Sequence, residues 1–340
     1  MFRRSFVSLK PIFRRVRIAE HGGPEVMKIE EFQPNILAPK PGQVVVRNSF
    51  AGVNFIDTYF RSGMNKKPVM PYTPGEEGAG AIVQVGDDSL KHLLGQRVAY
   101  YGGEGSYSSF TVVPTGALVE IPEGLADKEA AAVACQGFTA HYLTHDSFVC
   151  APGTVVLLHG AAGGTGLLLS QMAKLRGATV IGVCGGAEKA ALAQSVGRCD
   201  HVIDYTSEPD WPAAVRRLFP DGVHAVYDGV GKSTFQGSLS VLRRHGYMIS
   251  FGGASGAVPP VALSTITAAG SIYLQRPTLN DYIKLPEDRA RRGKDVFGWL
   301  KEKQLTVTVG KVLPLREAVQ AHTLLEGKQT TGKLLLNCTD

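Results

Sequence analysis

The run Val155-Val156-Leu157-Leu158-His159-Gly160-Ala161-Ala162-Gly163-Gly164-Thr165-Gly166, continued by Leu167-Leu168-Leu169-Ser170-Gln171, constrains this chain more than any other segment. A short apolar stretch leads directly into a glycine turn and then into a helical pattern. Such a turn lets backbone amides approach a pyrophosphate, which then lies at the start of the helix. The spacing is that of G-x-G-x-x-G, with Ala161 in the first position and Gly163 and Gly166 in the other two. Strand-like runs follow at 179–183, 201–204, 225–227, 247–251 and 271–275, with helical patterns between most of them, such as 167–176 and 188–196. Alternation of this kind predicts crossover units and a parallel sheet, and six strands complete a dinucleotide-binding domain.

The chain of 340 residues has room for two domains. Residues 16–122 carry short apolar runs between turn residues, at 43–46, 79–86 and 96–100, and few helical patterns. That texture predicts a compact, mostly β domain. After Pro277 come a helical stretch and a last apolar strand at 333–336.

The end of the second strand of the parallel sheet selects the dinucleotide. An acid there holds the ribose hydroxyls of NAD. Here the segment reads Val183-Cys184-Gly185-Gly186-Ala187, with no acid before Glu188. Lys189 follows as a point charge for a 2′-phosphate, and Tyr205 adds a hydroxyl after the third strand. NADPH is therefore favoured over NADH.

The net charge of +6 is local. Arg3, Arg4, Lys10, Arg14, Arg15 and Arg17 precede the first acid, and without them thirty bases face thirty acids. A neutral body with no basic patch argues against nucleic acid as a partner. Residues 1–17, with Phe2, Phe6, Leu9 and Phe13 at helical spacing, have the composition of a mitochondrial transit peptide; otherwise the protein is expected in the cytoplasm. The five cysteines form no C-x-x-C pair, which argues against a disulfide framework or structural zinc. No apolar run reaches the length of a membrane span. Asp228 to Thr234 lacks the first glycine of a P-loop, since position 226 is Val226, and His141 and His145 lack the glutamate of a zinc-protease motif.

Further landmarks are His21-Gly22-Gly23-Pro24-Glu25-Val26, Gly52-Val53-Asn54-Phe55-Ile56-Asp57-Thr58-Tyr59, Val226-Tyr227-Asp228-Gly229-Val230-Gly231, Ser250-Phe251-Gly252-Gly253 and Arg276-Pro277-Thr278-Leu279. With the glycine turn, they make residues 21–336 resemble the zeta-crystallin-like quinone oxidoreductases of the medium-chain dehydrogenase/reductase superfamily. The resemblance implies an α/β chain: a Rossmann cofactor domain, 138–276, inserted into a GroES-like catalytic domain, 18–137 plus 277–340. It implies a cleft between the two and a homodimer. It places Asn54 near the nicotinamide and ribose, and Thr139 at the entry to the cofactor domain. Gly163, Gly164, Thr165 and Gly166 fall to the pyrophosphate, and Gly185, Lys189 and Tyr205 to the 2′-phosphate. Phe251 and Gly252 fall to the nicotinamide channel, with Pro277, Thr278 and Leu279 behind it, and Lys328 is a basic position of the C-terminal segment. Tyr59, with Asn54, is the candidate for polarising an acceptor oxygen.

The zinc alcohol dehydrogenases share this superfamily, and two of their three catalytic ligands are missing. Gly52-Val53-Asn54-Phe55 stands where they carry Cys, and Gly75-Glu76-Glu77 where they carry G-H-E; only Cys135 matches. The implied activity is a metal- and flavin-free, NADPH-dependent reduction of quinones. Reduction of enoyl thioesters or alkenals is the alternative, with Lys66 and Lys67 beside the cleft. An NADPH-binding structural or RNA-binding role is a second alternative. Asn65 replaces a second tyrosine common in the family.

Overall fold

The computed structural model describes residues 12–65, 69–103 and 105–339. Phe13–Arg17 (β1) pairs antiparallel with Lys28–Phe32 (β2), setting Arg15 opposite Glu30 and Arg14 opposite Glu31. Arg15 reaches Glu30 at 3.0 Å and Arg17 reaches it at 3.3 Å, while Val16 is 1% exposed. The basic address read over residues 1–17 therefore overlaps the folded body. Three of its arginines find their acids on the neighbouring strand, and its end is a strand rather than a leader. Residues 1–11, which hold most of the helical stripe, lie outside the described residues.

Five more strands follow: Gln43–Val53 (β3), Glu77–Val85 (β4), Arg97–Tyr101 (β5), Phe110–Pro114 (β6) and Leu118–Glu120 (β7). The middle of the chain lays down Val155–His159 (β8), Thr179–Cys184 (β9), His201–Asp204 (β10), Val223–Asp228 (β11), Leu242–Ser250 (β12) and Tyr273–Gln275 (β13). The chain then returns with Val309–Pro314 (β14) and Lys333–Asn337 (β15).

Strands from both chain ends make one sheet of seven, ordered β14-β15-β3-β4-β5-β7 with β6 alongside β3. The other sheet has six strands, all parallel, ordered β10-β9-β8-β11-β12-β13. Counted from β8, that order is 3-2-1-4-5-6, the doubly wound arrangement of the Rossmann fold. Its switch point lies between β8 and β11, so a ligand crevice opens at their carboxyl ends.

The two sheets share one continuous core. Phe138, on the helix Gln136–Tyr142, is fully buried in a cluster that includes Ala131 and Leu335 of the first domain and Val156, Leu168 and Tyr227 of the second. Its burial contributes about 1.5–3 kcal/mol. Where the two crossings between domains meet, Tyr142 and Tyr282 stack at 4.2 Å with planes 7° apart.

One helix in the β domain bears on the site. Phe55–Ser62 starts at Asn54, whose backbone N–H donates to Asp57 Oδ2 at 2.9 Å, three residues on. This satisfies a donor at the helix entry and holds Tyr59 one turn inside. Gly63, at φ +80°, ends the helix in the left-handed region.

Candidate active site

β8 ends at His159, and Gly160 turns the chain at φ +68°. Gly163 caps the helix Gly164–Leu175. A Cβ at Gly166 would stand inside contact distance of Gly160 O, so the turn closes only around glycine. The first-turn amides of Gly164, Thr165 and Gly166 have no partner within the helix and form the positive end of its dipole. Gln136 Oε1 is buried without a donor and lies against Gly164, leaving an unengaged acceptor beside the turn. This residue was not anticipated, and its signal is only a polar side chain at the first position of the helix.

Beyond the turn, Tyr205 packs over Gly185. Lys189 Nζ donates to Lys328 O at 2.7 Å, which brings the two basic positions together. Asp204 does not confront them. Its Oδ1 accepts from Gly186 N, Thr206 N and Thr206 Oγ1 at 2.7–2.9 Å. These donors, the Gly186 amide first, lower the carboxylate's pKa below its ordinary value, and the carboxylate is turned into the loop.

On the far side of the switch point, the Phe251 and Gly252 amides donate to Asp228 O, and the Phe251 ring covers Gly229. The Asp228 carboxylate in turn accepts from the Val230 and Gly231 amides and from Thr234. The rejected P-loop segment is thus a loop organised by an internal acid. Tyr59 reaches this loop from the other domain. Burial pushes its hydroxyl above its ordinary pKa, and the nearby Gly253 backbone and Arg276 guanidinium offset part of that rise. Pro277 and Leu279 are buried behind, Thr278 caps the short helix Leu279–Tyr282, and Thr139 is half-buried on the helix Gln136–Tyr142.

Asn54 turns inward. Its Oδ1 accepts from Lys333 Nζ at 2.7 Å and its Nδ2 donates to Glu77 Oε2 at 2.8 Å, with 5% of the residue exposed. The amide can have only this orientation, because an ammonium needs an acceptor and a carboxylate a donor. Lys333 and Glu77 form an ion pair of 2.5 Å with both side chains fully buried, and the Cys135 amide donates to Glu77 Oε1 at 2.5 Å. Sequence reasoning missed Lys333 and missed Glu77 as a partner. Asn65 donates its amide to Tyr59 O, Met64 is exposed, and Lys66 and Lys67 lie outside the described residues.

The three segments that would carry catalytic zinc do converge here, but their chemistry does not fit a metal. Glu77 is engaged by an ammonium and two amides, Asn54 by both, and burial pushes the Cys135 thiol well above its ordinary pKa. Among the described residues no cluster of His, Cys, Asp or Glu is placed to bind a metal ion. His141 is packed between Asp295 at 3.0 Å and Arg292 at 2.8 Å and stacked on His145.

Fold and site together define a two-domain oxidoreductase with a GroES-like domain and a Rossmann domain. The alcohol dehydrogenase GroES-like family matches residues 40–123, and the zinc-binding dehydrogenase family matches residues 164–287. The chain is 39% identical to a quinone oxidoreductase of Pseudomonas aeruginosa over 95% of its own length and 99% of the relative's. A 2-haloacrylate reductase of a Burkholderia species is 36% identical, with 94% and 97% covered. A solved Escherichia coli quinone oxidoreductase complexed with NADPH superposes with a TM-score of 0.90 at 36% identity, covering 95% and 99%. The chain belongs to the quinone oxidoreductase family of the medium-chain dehydrogenase/reductase superfamily.

Proposed function

We propose that this protein is a metal-independent, NADPH-dependent reductase of quinones. One observation carries the reading: Tyr59 of the GroES-like domain meets the Gly253 loop at the carboxyl ends of the parallel sheet, which puts a hydroxyl donor across the mouth of the dinucleotide crevice. Bound NADPH supplies a hydride. The helix-start amides of Gly164, Thr165 and Gly166 hold its pyrophosphate. Lys189 and Lys328 hold the 2′-phosphate, with Tyr205 beside Gly185 covering the adenosine end. Gln136 Oε1 accepts from a sugar hydroxyl at the turn. Thr139, Phe251 and Gly252 flank the nicotinamide, and Pro277, Thr278 and Leu279 close the channel behind it.

Tyr59 does the chemistry this chain contributes. Its O–H, facing the Gly253 loop, is placed to donate to the acceptor oxygen. Its raised pKa keeps that proton in place at neutral pH. A hydrogen bond that strengthens as oxyanion charge develops contributes on the order of 100-fold in rate. Asn54, engaged with Lys333 and Glu77, holds the start of the Tyr59 helix.

A second reading is reduction of a carboxylate-bearing activated alkene. The 2-haloacrylate reductase relative favours it, as does the exposed Arg276 guanidinium near Tyr59. The test is NADPH oxidation with ortho-quinones, para-quinones, a 2-haloacrylate and crotonyl-CoA, with a chelator present. Turnover confined to quinones supports the first reading, and turnover confined to the alkenes replaces it.

The same proposal extends to assembly and address. β13 is an edge strand whose Tyr273 and Leu274 are 56% and 42% exposed, so a second copy pairs there; light scattering of the purified protein tests this. No described helix is long and apolar enough to cross a membrane. The basic residues 1–11 serve as a mitochondrial address, tested by import of a fusion with and without them.

A further inference from the structure

Residues 328–333 touch three separate parts of the site. Lys328 O accepts from Lys189 Nζ at the 2′-phosphate end. Gly332 bridges Gly163, with its amide on Ala162 O at 3.0 Å, at the pyrophosphate turn. Lys333 Nζ grips Glu77 and Asn54 on the acceptor side. The segment bends twice through the left-handed region, at Lys328 with φ +56° and at Gly332 with φ +61°. A Cβ at Gly332 would run into Thr308 O, so the second bend is fixed by glycine.

We propose that Lys333 is a positioning residue that anchors this strap, tying the cofactor turn to the helix that carries Tyr59. This rests on the reductase reading. An ion pair with both partners fully buried is a poor way to gain stability, because desolvation offsets most of the attraction and an apolar pair of the same volume packs as well. What the pair fixes is register. Glu77 binds the Cys135 amide with one oxygen and Lys333 and Asn54 with the other, so β4, the chain at Cys135, β15 and the start of the helix Phe55–Ser62 are pinned at one point. Lys333 directly follows the residue that bridges to Gly163. Force on the glycine turn from a bound cofactor is therefore passed to Asn54 through one peptide unit. Lys333 does not face the acceptor; it acts through Asn54 and Gly332.

The test compares wild type with Lys333→Arg and the double variant Glu77→Gln/Lys333→Gln. Lys333→Met alone is unsuitable, since it would leave Glu77 a buried, unpaired carboxylate and fail at folding. Three quantities are read: NADPH affinity by calorimetry, kcat and KM for a quinone, and the primary isotope effect with 4-deuterated NADPH. The double variant is expected to fold, to bind NADPH about tenfold more weakly and to lose about 100-fold in kcat with a raised isotope effect, as a misplacement of about 1 Å requires. Lys333→Arg is expected to recover part of both losses. Affinity and kcat within about twofold of wild type in the folded double variant would overturn the proposal. A loss of kcat with unchanged affinity would overturn the coupling through the strap. Should wild type bind NADPH and reduce no quinone, the reductase reading fails, and the affinity of the double variant still decides the strap.

Discussion

The ring of Tyr205 occupies the space a side chain at Gly185 would need: a Cβ there would stand 2.5 Å from the ring carbon that bears the hydroxyl. Gly185 and Tyr205 thus define a floor without a carboxylate, and Lys189 and Lys328 stand beside it. On the proposed reading, replacing Lys189 by Ala removes a charge-assisted contact to the 2′-phosphate, an interaction of about 1.5–3 kcal/mol. KM for NADPH is expected to rise roughly 10- to 100-fold while KM for NADH moves little. Steady-state kinetics with both dinucleotides checks this, and an equal change in the two would place the 2′-phosphate elsewhere.

Gly166→Ala forces a Cβ toward the carbonyl of Gly160, a backbone atom that cannot swing aside. The glycine turn must open, which moves the first-turn amides off the pyrophosphate. The expected result is loss of NADPH affinity by more than about tenfold with a lowered Tm. Calorimetric titration and thermal melting measure both.

Buried histidines make the fold sensitive to acid. Burial lowers His141 and His159 to about 4 and His322 to about 3, from 6.5. Below pH 6.5 the unfolded chain takes up protons at these sites that the folded chain refuses, so stability falls. Asp57 opposes this. Burial raises it to about 7 from 3.8, so the folded state holds a proton that the unfolded state gives up, and its contribution grows as pH drops through 7. Three groups outweigh one. Tm is expected to fall from pH 6.5 to about 4.5, less steeply in His322→Gln and more steeply in Asp57→Asn. A flat profile over that range would contradict the protonation states.

The parallel sheet was largely legible because most of its strands hold a short apolar run bounded by turn residues. β8 and β10 keep their expected limits, 155–159 and 201–204. β12 starts at Leu242 rather than near 247, because exposed Arg243, Arg244 and His245 interrupt its apolar pattern. The helix Phe55–Ser62 has a helical period, apolar at Phe55, Ile56, Tyr59 and Phe60, but the side it buries is the polar one, Asp57, Thr58 and Arg61, so its clearer signal is the Asn54–Asp57 pair at its start. The arginines of β1 fit an address as well as an extra strand, because their acids lie on another strand. The Lys333–Glu77 pair spans 256 residues, a separation over which no local pattern operates. Its one visible sign is a lysine opening the apolar run Lys333–Asn337.

The most direct test of the account is Tyr59→Phe in the chain from residue 12 onward, which keeps β1, with NADPH affinity and quinone turnover measured side by side. The account predicts unchanged NADPH binding and a kcat lower by about 100-fold, since only the donor to the developing oxyanion is removed. A variant that reduces quinones at the wild-type rate would contradict the role given to Tyr59 and to the cleft it spans.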